Sequence, residues 1–266
     1  MKYGLRDSGE AFMNYKLTLQ YDGTDFQGWQ IQDGQRTVQG ELVRALSLLE
    51  GEAVAVHGAG RTDAGVHAVA QVANVKLLRR AGLMPERLRG AINGNSPRDV
   101  RVINVETVAD DFHARFSAHG KTYSYRIFNA AFMSPFWARY ALHEARPLDV
   151  EQMQSAAELF IGEHDWTTFS AAQTDVSSRV RRVTELSVET GWSERGRGHL
   201  ISITISAGGF LRYMVRSIVG ALLALGRGEI NEEAIKCAIE TKDRTLLTAA
   251  STAPAYGLTL MQVHYD

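Results

Sequence analysis

The sequence holds a single cysteine, Cys237, in 266 residues, so no disulfide can close within the chain. Cys237 falls at helical spacing beside Ala234 and Ala238, which reads as a packed thiol rather than a nucleophile. The eight histidines show neither His-Glu-x-x-His nor paired Cys/His spacing, so no metal site is indicated. Long apolar runs are also lacking. Residues 218–225 are too few to span a membrane and are interrupted by Gly220. The N-terminus has no apolar signal-peptide core, so a cytoplasmic protein without a membrane partner is the expectation. Residues 1–14 are mixed and polar; they are expected to form a disordered N-terminal extension, with Met13 a candidate start of the folded part.

Net charge is small as well. A formal charge of −1 argues against a generic nucleic-acid binder, but the charges are unevenly placed. Residues 76–101 carry seven basic and two acidic side chains, and residues 179–216 carry seven arginines and three glutamates. The rest of the chain has 15 basic and 25 acidic residues. Arginine-rich stretches on an acidic body suit a localised phosphate-binding surface, although ordinary solvated faces would look similar.

One stretch stands out, Gly58-Ala59-Gly60-Arg61-Thr62-Asp63-Ala64-Gly65-Val66-His67. It is not a Walker A loop, because Val66 rather than Lys follows Gly65. A dinucleotide fingerprint fails too, because Asp63 occupies the position of the third glycine. The plainest reading is an Asx-type turn closed by Gly65. The sharper one is a carboxylate, Asp63, displayed beside a fixed cation, Arg61. A second loop, Asp22 to Gln30, is glycine-rich and polar with embedded aromatics, and reads as a binding loop. Trp29, Trp137, Trp166, Phe169 and Trp192 read as core rather than as base-stacking platforms.

Periodicity orders the chain. Strands are expected at 15–21, 53–57, 66–77 and 100–108, with helices opening at Thr37 and Pro85. The first helix should turn Val38, Leu42, Leu46 and Leu49 inward and end at Gly51. The order β-α-β-β-α-β is the ferredoxin-like arrangement. Residues 119–266 repeat it: strands near 122–127, 183–188, 200–206 and 258–265, and a helix capped by Asp149 that stops at Gly162. A strongly apolar helix should run from Phe210 to Leu225, and another, capped by Asn231, uses Ile235 and Ile239. The expected fold is therefore α+β, with halves at 15–118 and 119–266 packed side by side around a cleft. Tyr123 and Arg216 are the second half's candidates to line it. Arg216 borders a buried helical stripe, where a carboxylate partner is usual.

These residues resemble the tRNA pseudouridine synthase A family almost end to end, from Tyr15 to Tyr265. The most specific element is the loop from Gly60 to Ala68. It is joined in order by Tyr21-Asp22-Gly23-Thr24 with Gly28-Trp29-Gln30, Phe112-His113-Ala114-Arg115-Phe116-Ser117, Lys121-Thr122-Tyr123-Ser124-Tyr125-Arg126, His164-Asp165-Trp166, Phe210 with Met214-Val215-Arg216, and Ala253 to Leu258. The resemblance implies a homodimeric isomerase without metal or cofactor. Its substrate would be tRNA, modified at uridines 38–40 on the 3′ side of the anticodon stem-loop. It makes Asp63 the catalytic aspartate, Tyr123 the ring on which the uracil lies and Arg216 the partner of that aspartate. Arg61 would help turn the target nucleotide outward. Gly208 departs from the pattern, since relatives often have a polar residue there. A non-catalytic RNA-binding protein remains the rival reading; a metal-dependent hydrolase is disfavoured by the absent ligand spacing.

Overall fold

Alternation at the start of the chain builds strand β1 (Met13–Tyr21), which turns Tyr15, Leu17, Leu19 and Tyr21 into the core. In this computed structural model, residues 12–172, 176–193 and 198–266 are described. Most of the expected N-terminal extension lies outside them, but Met13 and Asn14 already belong to β1. Asn14 is buried, and its side-chain amide donates to the carbonyls of Ala109 and Phe112 at 2.9 Å each.

Helix α1 (Val38–Glu50) opens on Thr37, whose hydroxyl accepts from the Gly40 N–H, and closes on Gly51 in the left-handed region at φ 76°. Its inward face is Val38, Leu42, Ala45 and Leu46, as the spacing predicts. At the last turn the buried residue is Glu50, not Leu49: one Glu50 oxygen accepts from the N–H groups of Leu78 and Arg79, both at 2.6 Å. Strand β2 (Val56–Gly58) starts later than residue 53, because the Val54 N–H is taken by the Ser47 hydroxyl instead of a neighbouring strand. Strand β3 (His67–Leu77), helix α2 (Pro85–Asn95) and strand β4 (Val100–Val108) follow. The strands lie in the order β4-β1-β3-β2, and every neighbour is antiparallel.

The chain divides into two units: residues up to His119 together with Gln262–Asp266, and Gly120–Met261. The second unit contains β5 (Gly120–Asn129), β6 (Leu142–Glu144), α3 (Val150–Ala157), β7 (Gly162–Asp165), β8 (Val180–Ser193) and β9 (His199–Ala207). After them come α4 (Met214–Gly226), α5 (Glu232–Thr241) and β10 (Leu258–His264), whose last residues count with the first unit. The strand order is β10-β5-β9-β8-β7, with β6 parallel to β5. Ile201, Ile203 and Ile205 share the buried face of β9, as alternation requires.

Several expectations change here. Helix α3 ends at Ala157 and tightens into a 3-10 turn over Glu158–Phe160, so Gly162 opens a strand rather than stopping a helix. The short strands β6 and β7 carry too few residues to show a period. The apolar helix begins at Met214, not at Phe210, because Tyr213 at its N-cap adopts a left-handed conformation at φ 66°. Cys237 is only half-buried and sits 3.6 Å from a Glu233 carboxylate oxygen, while Ile235 and Ala238 make the buried face of α5. Of the aromatics read as core, Trp29, Trp166 and Phe169 are buried, whereas Trp192 is 52% exposed and Trp137 half-buried. Among the described residues, no helix is long and apolar enough to cross a membrane.

Candidate active site

Asp63 sits in the connection between β2 and β3, and the main chain there is held at almost every step. The Ala59 N–H donates to the Val72 carbonyl at 2.7 Å, and the Gln71 side-chain amide donates to the Gly60 carbonyl at 3.1 Å. Thr62 is buried, and its hydroxyl lies 2.9 Å from the Tyr21 phenol oxygen, which also receives the Gln71 amide at 3.4 Å. Burial pushes the Tyr21 phenol up to about 12, with Thr62 and Gln71 working the other way. A buried glutamine must find partners, and Gln71, with no exposed surface, finds them in this loop.

The bend itself is a turn from Asp63 to Val66. The Val66 N–H donates to the Asp63 carbonyl at 3.2 Å, and Gly65 at φ 79° supplies the positive φ that a type II turn requires. Thus Gly65 closes the bend, as the plain reading has it, and main-chain atoms form the closing bond. Asp63 is half-buried and Arg61 exposed. The carboxylate is therefore recessed but not sealed, at the apex of a loop whose backbone cannot wander.

The loop from Asp22 to Gln30 is the clamp that holds it. The Trp29 N–H donates to the Thr62 carbonyl at 3.0 Å, and the Gly65 N–H to the Phe26 carbonyl at 3.3 Å. A β-carbon on Gly28 would stand 2.6 Å from the Thr62 oxygen, and one on Gly23 2.0 Å from the Val66 oxygen. Only glycine lets these two stretches of backbone approach so closely. Buried His67 accepts from the Gly23 N–H at 3.0 Å through Nδ1, which also lies 3.2 Å from an Asp22 carboxylate oxygen. With Phe26 and Trp29 both buried, this segment braces the Asp63 turn, while Asp25 and Gln27 stay exposed.

The second unit places the remaining candidates. Tyr123 lies on β5 opposite Ile205, is 8% exposed, and meets the Phe210 ring edge-on at 5.1 Å. The late start of α4 is what frees Phe210 for that contact. Arg216, in the first turn of α4, donates through Nε to the Ala253 carbonyl at 2.7 Å, and its guanidinium lies 5.0 Å over the Tyr213 ring. The Ala253 N–H returns a bond to the Arg216 carbonyl at 3.0 Å. Helix α4 comes so close to this segment that a β-carbon on Gly220 would be 2.0 Å from the Ser251 oxygen. Tyr125 is fully buried and donates to the Pro254 carbonyl at 2.9 Å; burial first, then Tyr256, push its phenol up, while Arg216 acts in the opposite sense. Asp63 and Arg61 thus share one loop of the first unit, and Tyr123 and Arg216 belong to the second. The sequence reading missed Phe210 as Tyr123's partner, and the Tyr21–Thr62–Gln71 group. Only the inward register of Gln71, a polar residue on the buried face of its strand, could have hinted at the latter.

A family model described as tRNA pseudouridine synthase matches residues 18–117 and 156–266. The curated tRNA pseudouridine synthase A of Streptococcus pneumoniae (strain 70585) is 42% identical over 253 residues, covering 95% of this chain and 98% of the relative. The protein of the same name from S. pneumoniae serotype 4 (strain ATCC BAA-334 / TIGR4) gives the same figures, and that of strain Hungary19A-6 is 41% identical over the same span. A clamped carboxylate turn, a tyrosine–phenylalanine pair and an anchored arginine thus stand on a chain that belongs to the tRNA pseudouridine synthase A family, a family of isomerases.

Proposed function

We propose that this protein converts uridine to pseudouridine in the anticodon stem-loop of tRNA, with Asp63 as the nucleophile. The observation that carries the reading is the Asp63 turn, a half-buried carboxylate on backbone fixed from both sides, in a chain whose relatives are named as tRNA pseudouridine synthases. The reaction breaks the N1–C1′ glycosidic bond, rotates the freed base and joins C5 to C1′; C5 loses its proton to solvent and N1 takes one up, so the product is an isomer of the substrate. Asp63 serves this either by attack on C1′ or by addition at C6, and in both routes the anionic carboxylate is the attacking form. Reaching it requires the nucleotide to leave its stack, at a cost of a few kcal/mol. Arg61, exposed beside the turn, suits the task of turning that nucleotide outward.

In the same reading Tyr123 is the ring that receives the uracil, its edge-on contact with Phe210 keeping its plane fixed. Arg216 is the cation that pairs with the reacting carboxylate, and its bond to Ala253 fixes the root of the guanidinium. The strand orders β4-β1-β3-β2 and β10-β5-β9-β8 support two halves each built on one ferredoxin-like plan. The exposed basic side chains of residues 76–98 suit recognition of tRNA by its phosphates and shape. A homodimer in the cytoplasm, working without metal or cofactor, completes the proposal.

Tritium release from C5-labelled uridine in tRNA tests it. Asp63→Asn should bind tRNA as the parent does and lose roughly a thousandfold or more in turnover, the scale seen when a catalytic group is removed. Substantial turnover by that variant would end the proposal. Binding without turnover in the unaltered protein would favour a non-catalytic RNA-binding role.

A further inference from the structure

The segment from Phe112 to Ser117 takes no part in the mechanism above, yet it is built with care. The Ala114 N–H donates to the Asn74 side chain at 2.9 Å, and the Ala114 carbonyl accepts from the Tyr265 hydroxyl at 2.6 Å. The Ser117 N–H donates to the His113 carbonyl at 2.9 Å, the His113 N–H to the Ser117 hydroxyl at 3.1 Å, and the Arg115 N–H to His113 Nδ1 at 3.1 Å. So much anchoring holds the Phe116 side chain out of the core, where it is 77% exposed.

Its neighbours are aromatic and cationic. The His113 ring lies 4.4 Å from that of Phe116 at 35°, and the His57 ring 5.0 Å from that of His113 at 38°. The Arg115 guanidinium is 5.8 Å from the centre of the Phe116 ring. Partial burial, then the nearby His57 and Arg115, hold the His113 imidazole below its ordinary value, so it meets neutral pH as an uncharged aromatic. A lone exposed phenylalanine needs no explanation. Three rings in a row with a guanidinium alongside, on a pinned turn, form a surface matched to a flat aromatic ligand that carries a phosphate. Strand β2, which bears His57, leads directly into the Asp63 turn, so the row and the reacting carboxylate belong to one unit.

We propose that Phe116, with His113, His57 and Arg115, is a stacking platform for an unpaired base of the RNA other than the target uridine. Single-stranded bases stack on aromatic and guanidinium planes, and a ring already ordered gives up little entropy when it binds one. The proposal rests on the reading of this chain as an RNA-modifying enzyme.

The test uses the full chain and an unmodified tRNA transcript, with Kd from titration, KM and kcat from tritium release, and mass from sedimentation. Phe116→Ala should weaken binding and raise KM about five- to hundredfold, the range for one lost base stack, with the loss sitting in KM rather than kcat. Phe116→Trp should restore both. Arg115→Ala should lower the slope of log affinity against log salt by about one. Phe116→Leu keeps an apolar side chain without a π face and should lose affinity as alanine does, so it decides the matter even if the alanine variant melts early. Unaltered Kd and KM in Phe116→Ala would overturn the platform, as would a loss confined to kcat. A change of mass without a change of RNA affinity would instead make this face a contact between copies. If the unaltered protein binds tRNA but makes no pseudouridine, the proposed reaction fails while the binding arm still decides the platform.

Discussion

Tyr21 shows how far the position of the Asp63 turn depends on side chains elsewhere in the sheet. Its phenol meets the Thr62 hydroxyl one residue before Asp63, and Gln71 ties the same phenol to the Gly60 carbonyl. Removing that oxygen leaves Thr62 and Gln71 short of a buried partner. Tyr21→Phe should therefore cost about 1–3 kcal/mol of stability and lower kcat by roughly tenfold through misplacement of the carboxylate, with tRNA affinity unchanged. Chemical denaturation alongside steady-state kinetics checks both halves. An unchanged kcat would show that the loop keeps its geometry without this bond. The phenol also sets an alkaline limit. Its folded value of about 12 lies above the ordinary 10, so the native state holds the proton longer than the unfolded chain. Its stabilising effect is intact below about pH 10 and is lost as pH rises from there toward 12. The phenylalanine variant should show a shallower alkaline loss over that window in pH-dependent melting.

At the scale of elements, the decisive contacts are between backbones. Gly28 combines a left-handed φ of 87° with a β-carbon position 2.6 Å from the Thr62 oxygen, so alanine there meets both strain and collision. Gly28→Ala should lower stability by about 1–3 kcal/mol and cost more activity than Tyr21→Phe, since the clamp itself is displaced. Thermal melting and tritium release would show it; a fully active Gly28→Ala enzyme would mean the clamp is dispensable. Helix α4 rests on the same kind of contact at Gly220, which is why an apolar helix passes so close to the segment carrying Ala253. Here the limits of sequence reading are plain. Thr37, Asp149 and Asn231 announce helix starts because capping is a local bond, and all three accept one. The spacing of Phe210 from Met214 and Ile218 is helical and places it in a helix. The left-handed Tyr213 that breaks the pattern has no composition signal.

For the molecule as a whole, Glu144 gives the expected link between stability and acid pH. This buried carboxylate ends β6 and accepts from Arg227 Nε at 2.7 Å and from the Arg146 N–H at 3.0 Å. Burial opposes its charge, but those donors outweigh it and hold its carboxyl below the ordinary range. A lowered folded value means stability that is present above the unfolded value near 4.5 and lost as pH falls through the folded one. Glu144→Gln should destabilise the protein at pH 7 by about 3 kcal/mol, leaving Arg227 poorly paired, and should flatten the acid limb of the stability curve. Denaturant melts at pH 7 and pH 4 decide it; equal losses at both would show that the charge is not what matters. Charge on a larger scale bears on the proposed binding of tRNA. The chain is nearly neutral, yet Lys76, Arg79, Arg80, Arg87, Arg89 and Arg98 are all exposed. Affinity for tRNA should fall steeply with added salt, as phosphate contacts require.

The sequence by itself determined what depends on neighbours along the chain: strand alternation, helix caps, the glycine at the Asp63 bend, and the loop that carries the family resemblance. What only the tertiary structure decided depends on residues far apart. The Asp22–Gln30 loop became a clamp because Gly23 and Gly28 admit the backbone of the Asp63 turn, and Gln71 and Tyr21 became its struts across the sheet. Trp192 and Phe116 stay outside while Trp29 and Trp166 are buried, because burial is set by what packs over a residue and not by its own hydrophobicity.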